Sequence, residues 1–262
     1  MSGFDALVCP LCRLPLGVQD RVAGCGSGHR FDLARQGYLN LLGRAAGANA
    51  DTAEMLDQRQ QFLGAGHYQP IVDAVVAACT GASRVLEVGV GTGSYLSAVL
   101  DALPEAEGLG LDISPAAARR STRAHPRLQA VVADAWQPLP LHDEWFDVVL
   151  SVFAPRNPAE FARVLGPGGR LVTVTPNSGH LAEARERFGL IDIHPDKDER
   201  LQRALEPLFT RVDEQRVAFV LDLDAAAMTA LVGMGPNALH EHGSTSPGRV
   251  GVDVHVSTWQ LN

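Results

Sequence analysis

Four residues near the start of the chain, Cys9, Cys12, Cys25 and His29, have the types and spacing of a tetrahedral metal site. Cys-x2-Cys lets two thiolates reach one ion from a single tight turn, and Cys25 with His29 four positions on completes the donor set. Pro10 and Gly26 suit such turns. Zinc is the ion these donors favour, and four protein ligands leave no open position, so the role read here is structural. A disulfide or a pair of buried thiols is the competing reading, against which the histidine at a fitting interval argues. A segment of about forty residues is too small to bury an adequate core, and a metal would supply the missing staple. Cys79 stands apart from this cluster and reads as a small core residue.

The second constellation is the glycine-rich run Glu87-Val-Gly-Val-Gly-Thr-Gly93. It follows Arg84-Val-Leu-Glu-Val88, whose apolar, β-branched character predicts a buried parallel strand, and precedes a helix from about Ser94 to Leu103. Such a strand-turn-helix presents backbone N–H groups and a helix N-terminus to a ligand, and glycines allow close approach. The spacing Gly89-x-Gly91-x-Gly93 lacks the Lys-Ser/Thr of a phosphate loop and the longer final interval of the dinucleotide fingerprint, which disfavours ATP and NAD. Gly108 to Asp112 reads as a second strand ending in an acid placed to hold a ribose diol. Capping the helix that begins at Ser114-Pro115 is the competing role for Asp112. A third strand, Leu128 to Ala133, ends in Asp134, and a fourth, Phe146 to Val152, leads into Phe153-Ala-Pro-Arg-Asn157. Acids and loops thus gather at the carboxyl ends of strands, where open α/β sheets bind ligands.

These residues need a frame. Leu165-Gly-Pro-Gly-Gly169 predicts a helix stop and tight turn before a fifth strand at Arg170 to Thr175. Arg216 to Asp222 and Val250 to Leu261 alternate like an antiparallel edge hairpin around a helix at Asp224 to Val232. The order of elements predicts an α/β, doubly wound, Rossmann-like sheet with a small N-terminal zinc-binding module. We divide the chain into the module (1–42), a linker and helix (43–66) and the main domain (67–262). Residues 43–53 are small and polar, as a flexible connection requires, and a helical pattern resumes from Thr52 to Leu63. With 262 residues there is material for one full core plus the module. No long apolar run or signal-like N-terminus is present, so a cytoplasmic location without membrane partners is expected. The net charge of −8 disfavours a generic polyanion binder, but five arginines against three aspartates give residues 1–44 a charge of +2, leaving −10 elsewhere.

Glu-x-Gly-x-Gly-x-Gly, the acid ending strand two, Asp134 and the Pro-Gly-Gly turn resemble the class I S-adenosylmethionine-dependent methyltransferases. The ligand cluster with Gly28-His-Arg-Phe-Asp32, Ala34-Arg-Gln-Gly-Tyr-Leu-Asn-Leu-Leu42, Gly66-His-Tyr-Gln-Pro70 and Val152-Phe-Ala-Pro-Arg-Asn-Pro158 extends the resemblance to the RlmA-type 23S rRNA guanine-N1 methyltransferases, which include tylosin-resistance enzymes. The resemblance implies S-adenosylmethionine as cofactor. Glu87, Gly89, Gly91 and Gly93 would serve its methionine part, Asp112 its ribose, and Asp134 with Ala135 its adenine. It also implies 23S rRNA as partner, a link to antibiotic resistance, and room for a homodimer. His180, Asn157 and His67 are candidates to assist loss of the guanine N1 proton. Phe153 is placed to stack a flipped base and Arg156 to contact phosphate, while Arg30, Arg35, Tyr38 and Arg44 are the candidate RNA-reading residues of the module. A core aromatic and a surface ion pair are the plainer roles for Phe153 and Arg156. Residues 45–53 carry no Lys or Arg, and with the acidic net charge this keeps a small-molecule acceptor as the alternative. A non-catalytic zinc-bearing RNA-binding protein is a third reading, against which the intact glycine turn and Asp112 speak.

Overall fold

A computed structural model describes residues 3–47, 50–190, 192, 197–235 and 245–262, so residues 48–49 of the 43–53 stretch lie outside the described part. Three short strands, β1 (Gly17–Gln19), β2 (Val22–Gly24) and β3 (Arg30–Asp32), make a small antiparallel sheet. The two-residue β4 (Leu39–Asn40) then leaves the module and pairs in parallel with a strand of the main sheet. The main domain follows as α1 (Ala53–Gly64), α2 (Gln69–Ala78), β5 (Arg84–Val88), α3 (Ser94–Ala102), β6 (Glu107–Asp112), α4 (Pro115–Ser121) and β7 (Leu128–Val132). After these come β8 (Phe146–Val152), α5 (Pro158–Val164), β9 (Leu165–Pro176), α6 (Ala182–Phe188), α7 (Lys197–Leu205), β10 (Phe209–Leu223), α8 (Ala225–Gly233) and β11 (Gly248–Leu261).

The eight strands lie in the order β10-β11-β9-β8-β5-β6-β7-β4. The run from β4 to β9 is parallel throughout, while β11 is antiparallel to both of its neighbours. Strand order reverses between β5 and β8, and a crevice opens outside their carboxyl ends at such a switch point. β9 begins at Leu165 rather than Arg170, because Leu165 already registers on Phe146 of β8 and the Gly-Pro-Gly-Gly stretch forms the irregularity before Arg170, with Gly168 at a φ of +74°. β10 begins at Phe209 rather than Arg216, since residues on this edge strand are largely exposed and carry little apolar alternation.

Local chemistry sets the helix starts. The hydroxyls of Thr52 and Ser114 and the carboxylate of Asp224 accept the N–H groups of Met55, Ala117 and Ala227, capping α1, α4 and α8. The sheet is covered on both faces. Ile71, Val75, Leu96 and Val99 pack with Val85 on one side, and Phe161 and Val164 pack with Leu86, Val88 and Leu109 on the other. Phe4, Leu7 and Leu39 of the N-terminal module belong to that second core. Module and domain are therefore joined by shared burial, by Leu39 and Asn40 registering on Val131 and Val132, and by an isolated bridge between Leu7 and Leu141.

Candidate functional site

Two knuckles build the metal cluster. The N–H of Arg13 donates to the Cys9 carbonyl (2.8 Å), closing the first turn, and those of Gly28 and Cys25 donate to Cys25 O (2.9 Å) and His29 O (3.1 Å) to form the second. Nδ1 of His29 lies 3.5 Å from Cys9 Sγ and 3.4 Å from Cys25 Sγ, and the sulfurs of Cys12 and Cys25 are 3.6 Å apart. All four donor atoms lie within 4.8 Å of one another, and none of the cysteines is in a disulfide. Bonds of about 2.3 Å to sulfur and about 2.0 Å to nitrogen at tetrahedral angles need edges of about 3.5–3.8 Å, close to the 3.4, 3.5 and 3.6 Å of these three pairs. A hydrogen bond from the Leu14 backbone, aided by His29, brings the Cys12 thiol down to about 6, favouring the thiolate a metal needs.

The glycine turn sits at the switch point. Gly89 N–H donates to Leu111 O (2.7 Å) and Gly91 N–H to Asp112 Oδ2 (2.9 Å), while Asp112 Oδ1 accepts from Ser114 N–H (2.9 Å). Because Ser114 caps α4, Asp112 is left to face the turn, and its burial raises its pKa against the pull of these two bonds. Glu87 is wholly buried, accepts the N–H of Leu96 (3.1 Å) and is pushed by burial to about 8. It ties β5 to α3 beneath the turn. Gly89 and Gly91 both have positive φ, and the space a side chain would need is taken. A Cβ on Gly89 would lie 2.6 Å from Ala154 Cβ, and one on Gly91 would lie 2.9 Å from an Arg59 guanidinium nitrogen.

Arg59 of α1 was not among the residues expected at this site. Its guanidinium bonds to Asp51 (2.5 Å) and to Met234 O (2.6 Å) while resting against Gly91. The start of α1 is fastened across the crevice by Ser114 Oγ, which donates to Asp51 O (2.8 Å), and by Arg120, which donates to Ala53 O (2.9 Å) and pairs with Asp57. The Thr52 cap makes this helix legible in the sequence, but no local signal places it over a turn some thirty residues further on.

The loops after β7 and β8 face each other across the crevice. Asp134 accepts from Trp136 N–H (3.0 Å) and from Arg44 (2.7 Å), so Arg44 meets a carboxylate here. Asn157 Nδ2 donates to Ala135 O (3.0 Å), a positioning role, since its amide is no proton acceptor at neutral pH. Phe153, at a φ of +52° and 41 % exposed, stacks on His180 with centroids 5.9 Å apart and planes 26° apart. Tyr68, also unforeseen, lies 6.4 Å from Phe153 and 6.3 Å from His180, and its burial raises its pKa. Nδ1 of His180 accepts the Asp253 N–H (3.3 Å), so that nitrogen is already engaged by the backbone of β11. His67 sits further out, tilted on Phe62 at 4.6 Å. Arg156 is half-buried, Arg30 and Arg35 are exposed, and Tyr38 packs partly against the domain core.

The reversed strand order, the cradle at its switch point and the acids at the end of β6 and just beyond β7 define a class I methyltransferase domain, here carrying a four-ligand ribbon. The RlmA N-terminal family model matches residues 7–43, and a methyltransferase domain model matches residues 85–169. The chain is 45 % identical over 90 % of its length, and 86 % of the relative's, to a 23S rRNA (guanine(748)-N(1))-methyltransferase of Streptomyces fradiae. It is 43 % identical over 93 % of its length, and 89 % of the relative's, to a 23S rRNA (guanine-N(1)-)-methyltransferase of Micromonospora griseorubida, itself assigned by inference. In fold it is similar to a chain from the Haloferax volcanii complex of the Trm112 methyltransferase activator with a methyltransferase, at a TM-score of 0.55 and 20 % identity, covering 80 % of this chain and 96 % of that one. This protein belongs to the RlmA-type family of S-adenosylmethionine-dependent methyltransferases. Its N-terminal cluster is that family's zinc ribbon. Among the described residues, no helix is long and apolar enough to cross a membrane.

Proposed function

We propose that this protein methylates N1 of a guanine in a hairpin loop of 23S rRNA. The observation that carries the reading is 45 % identity to the Streptomyces fradiae enzyme over 90 % of this chain. When bound, S-adenosylmethionine supplies an electrophilic methyl group whose bond to sulfur breaks, with the electron pair going to sulfur, as N1 bonds to carbon.

The protein's work is then mainly alignment, because transfer from a sulfonium depends on an in-line approach more than on covalent help. Gly89 and Gly91 would bring the backbone to the cofactor, Asp112 would hold its ribose, and Asp134 with Ala135 its adenine. Ala154, in contact range of Gly89, sets the position of Phe153, which receives the flipped base. Asn157 holds the two loops together, and His180 and Tyr68 form the wall on which Phe153 rests. The N1 proton leaves to water. The site lies in the cytoplasm in this reading, as rRNA modification requires.

Incubating the protein with labelled cofactor and unmodified 23S rRNA, followed by primer extension, tests the proposal, because a methyl on N1 blocks base pairing. A single stop in a hairpin loop is the expected result. Cofactor binding with no label on RNA would instead favour a small-molecule acceptor.

A further inference from the structure

Among the described residues, two large aromatic side chains stand substantially exposed, Trp136 at 65 % and Phe153 at 41 %. Both lie on loops leaving the carboxyl ends of adjacent parts of the crevice, and the bond from Asn157 to Ala135 O (3.0 Å) ties those loops to each other. Phe153 has a place in the reaction. Trp136 has none, yet an indole left in water is an unfavourable use of the most hydrophobic large ring unless something covers it.

Its surroundings say what fits. The backbone N–H of Trp136 donates to the same carboxylate, Asp134, that holds the exposed Arg44, so the two residues share one acid at the exit from the zinc ribbon. The rest of its loop is the joint between ribbon and domain: Arg13 donates to Leu139 O (2.6 Å) and Leu141 O (3.1 Å), and Val8 N–H to Pro140 O (2.9 Å). This loop is thus bonded both to the ribbon and to the loop that carries Phe153, the two places an RNA acceptor would touch in this reading. An exposed aromatic side chain, with an exposed guanidinium on the acid its backbone bonds, suits an unpaired base and its phosphate.

We propose that Trp136 is a stacking platform for an unpaired nucleobase of the RNA acceptor, a second base beside the one taken by Phe153. This rests on the reading of the acceptor as a hairpin-loop RNA. The full-length zinc-loaded protein is titrated with a hairpin RNA copied from 23S rRNA and with a blunt RNA duplex, comparing wild type, Trp136→Ala and Trp136→Phe. Stacking energies of single bases predict a loss of about 5- to 150-fold in hairpin affinity for Trp136→Ala, substantial recovery in Trp136→Phe, and no change with the duplex, whose bases are not available. Hairpin RNA should also quench tryptophan emission in wild type far more than in Trp136→Phe, where Trp145 and the buried Trp259 remain. Equal hairpin affinity in all three proteins would overturn the assignment, as would an equal loss on duplex. Parallel loss of S-adenosylhomocysteine affinity in Trp136→Ala would show the indole covering the cofactor, and a change in oligomeric state would show it covering another copy; either overturns the proposal. If wild type binds neither RNA, the reading of the acceptor fails along with it, a result separate from any difference between variants.

Discussion

Arg44, at the start of the connecting segment, places its guanidinium 2.7 Å from the carboxylate of Asp134, the acid expected at the adenine. A residue assigned to RNA and a residue assigned to cofactor are therefore partners in the described state. The Asp134 side chain is 9 % exposed and that of Arg44 55 %, so the arginine is the solvent-facing half of the pair. Arg44→Ala should leave cofactor affinity within about twofold, weaken RNA binding and lower the salt dependence of log K by about one. Asp134→Ala should weaken the cofactor instead. Calorimetry with cofactor and a salt series with RNA check both, and a salt slope unchanged in Arg44→Ala would remove Arg44 from the RNA interface.

Arg59 is the cation pressed on the glycine turn, and the cofactor's methionine end carries a carboxylate. Removing a charged hydrogen-bond donor from such a site costs about 1.5–3 kcal/mol, or roughly 10- to 150-fold in Kd. Arg59→Ala should show that loss with S-adenosylmethionine and little of it with the decarboxylated cofactor. Equal losses for both would mean that Arg59 acts only by fastening α1.

The ribbon should hold one zinc per chain, measurable by elemental analysis. A chelator should release it and destabilise residues 3–42 first, detected by hydrogen exchange, because four ligands spaced for one ion leave little else to hold the small sheet together. Metal content near zero in the native protein would refute the assignment.

Glu87 gives a pH signature. It ionises near 4.5 in the unfolded chain, but burial holds it protonated to about 8 in the folded one. Between those values the folded state binds a proton the unfolded state has released, so stability from this group falls as pH rises through the window and levels off above it. Glu87→Gln keeps an acceptor for Leu96 N–H and removes the titration. Urea unfolding at about pH 5 and about pH 8 should show wild type losing on the order of a few kcal/mol relative to the variant. Parallel pH profiles would mean that Glu87 is ionised in the fold.

The parts legible in the sequence were those with dense local chemistry. β5, β6, β7 and β8 are apolar runs because both faces of a parallel sheet are buried, and the ribbon ligands declare themselves by spacing. Asp112 was ambiguous until Ser114 was seen to take the cap. What escaped depends on distant partners. Arg59 looks like any surface arginine of a helix, Tyr68 and Trp136 like any aromatics, and Arg44 carries no mark of its bond to Asp134. The two residues of β4 are too few to show a period, and their neighbour β7 lies far along the chain.

That small strand has a consequence for how the molecule is made. Leu39 leaves the ribosome early and has no edge to join until Val131 follows, so the first strand of the large sheet to be synthesised must wait for β7 before it can take its place. Until then the ribbon depends on its metal alone. Shortage of zinc in a growing cell would thus be felt at the far rim of the methyltransferase sheet, where β7 would be left as an open template for other chains.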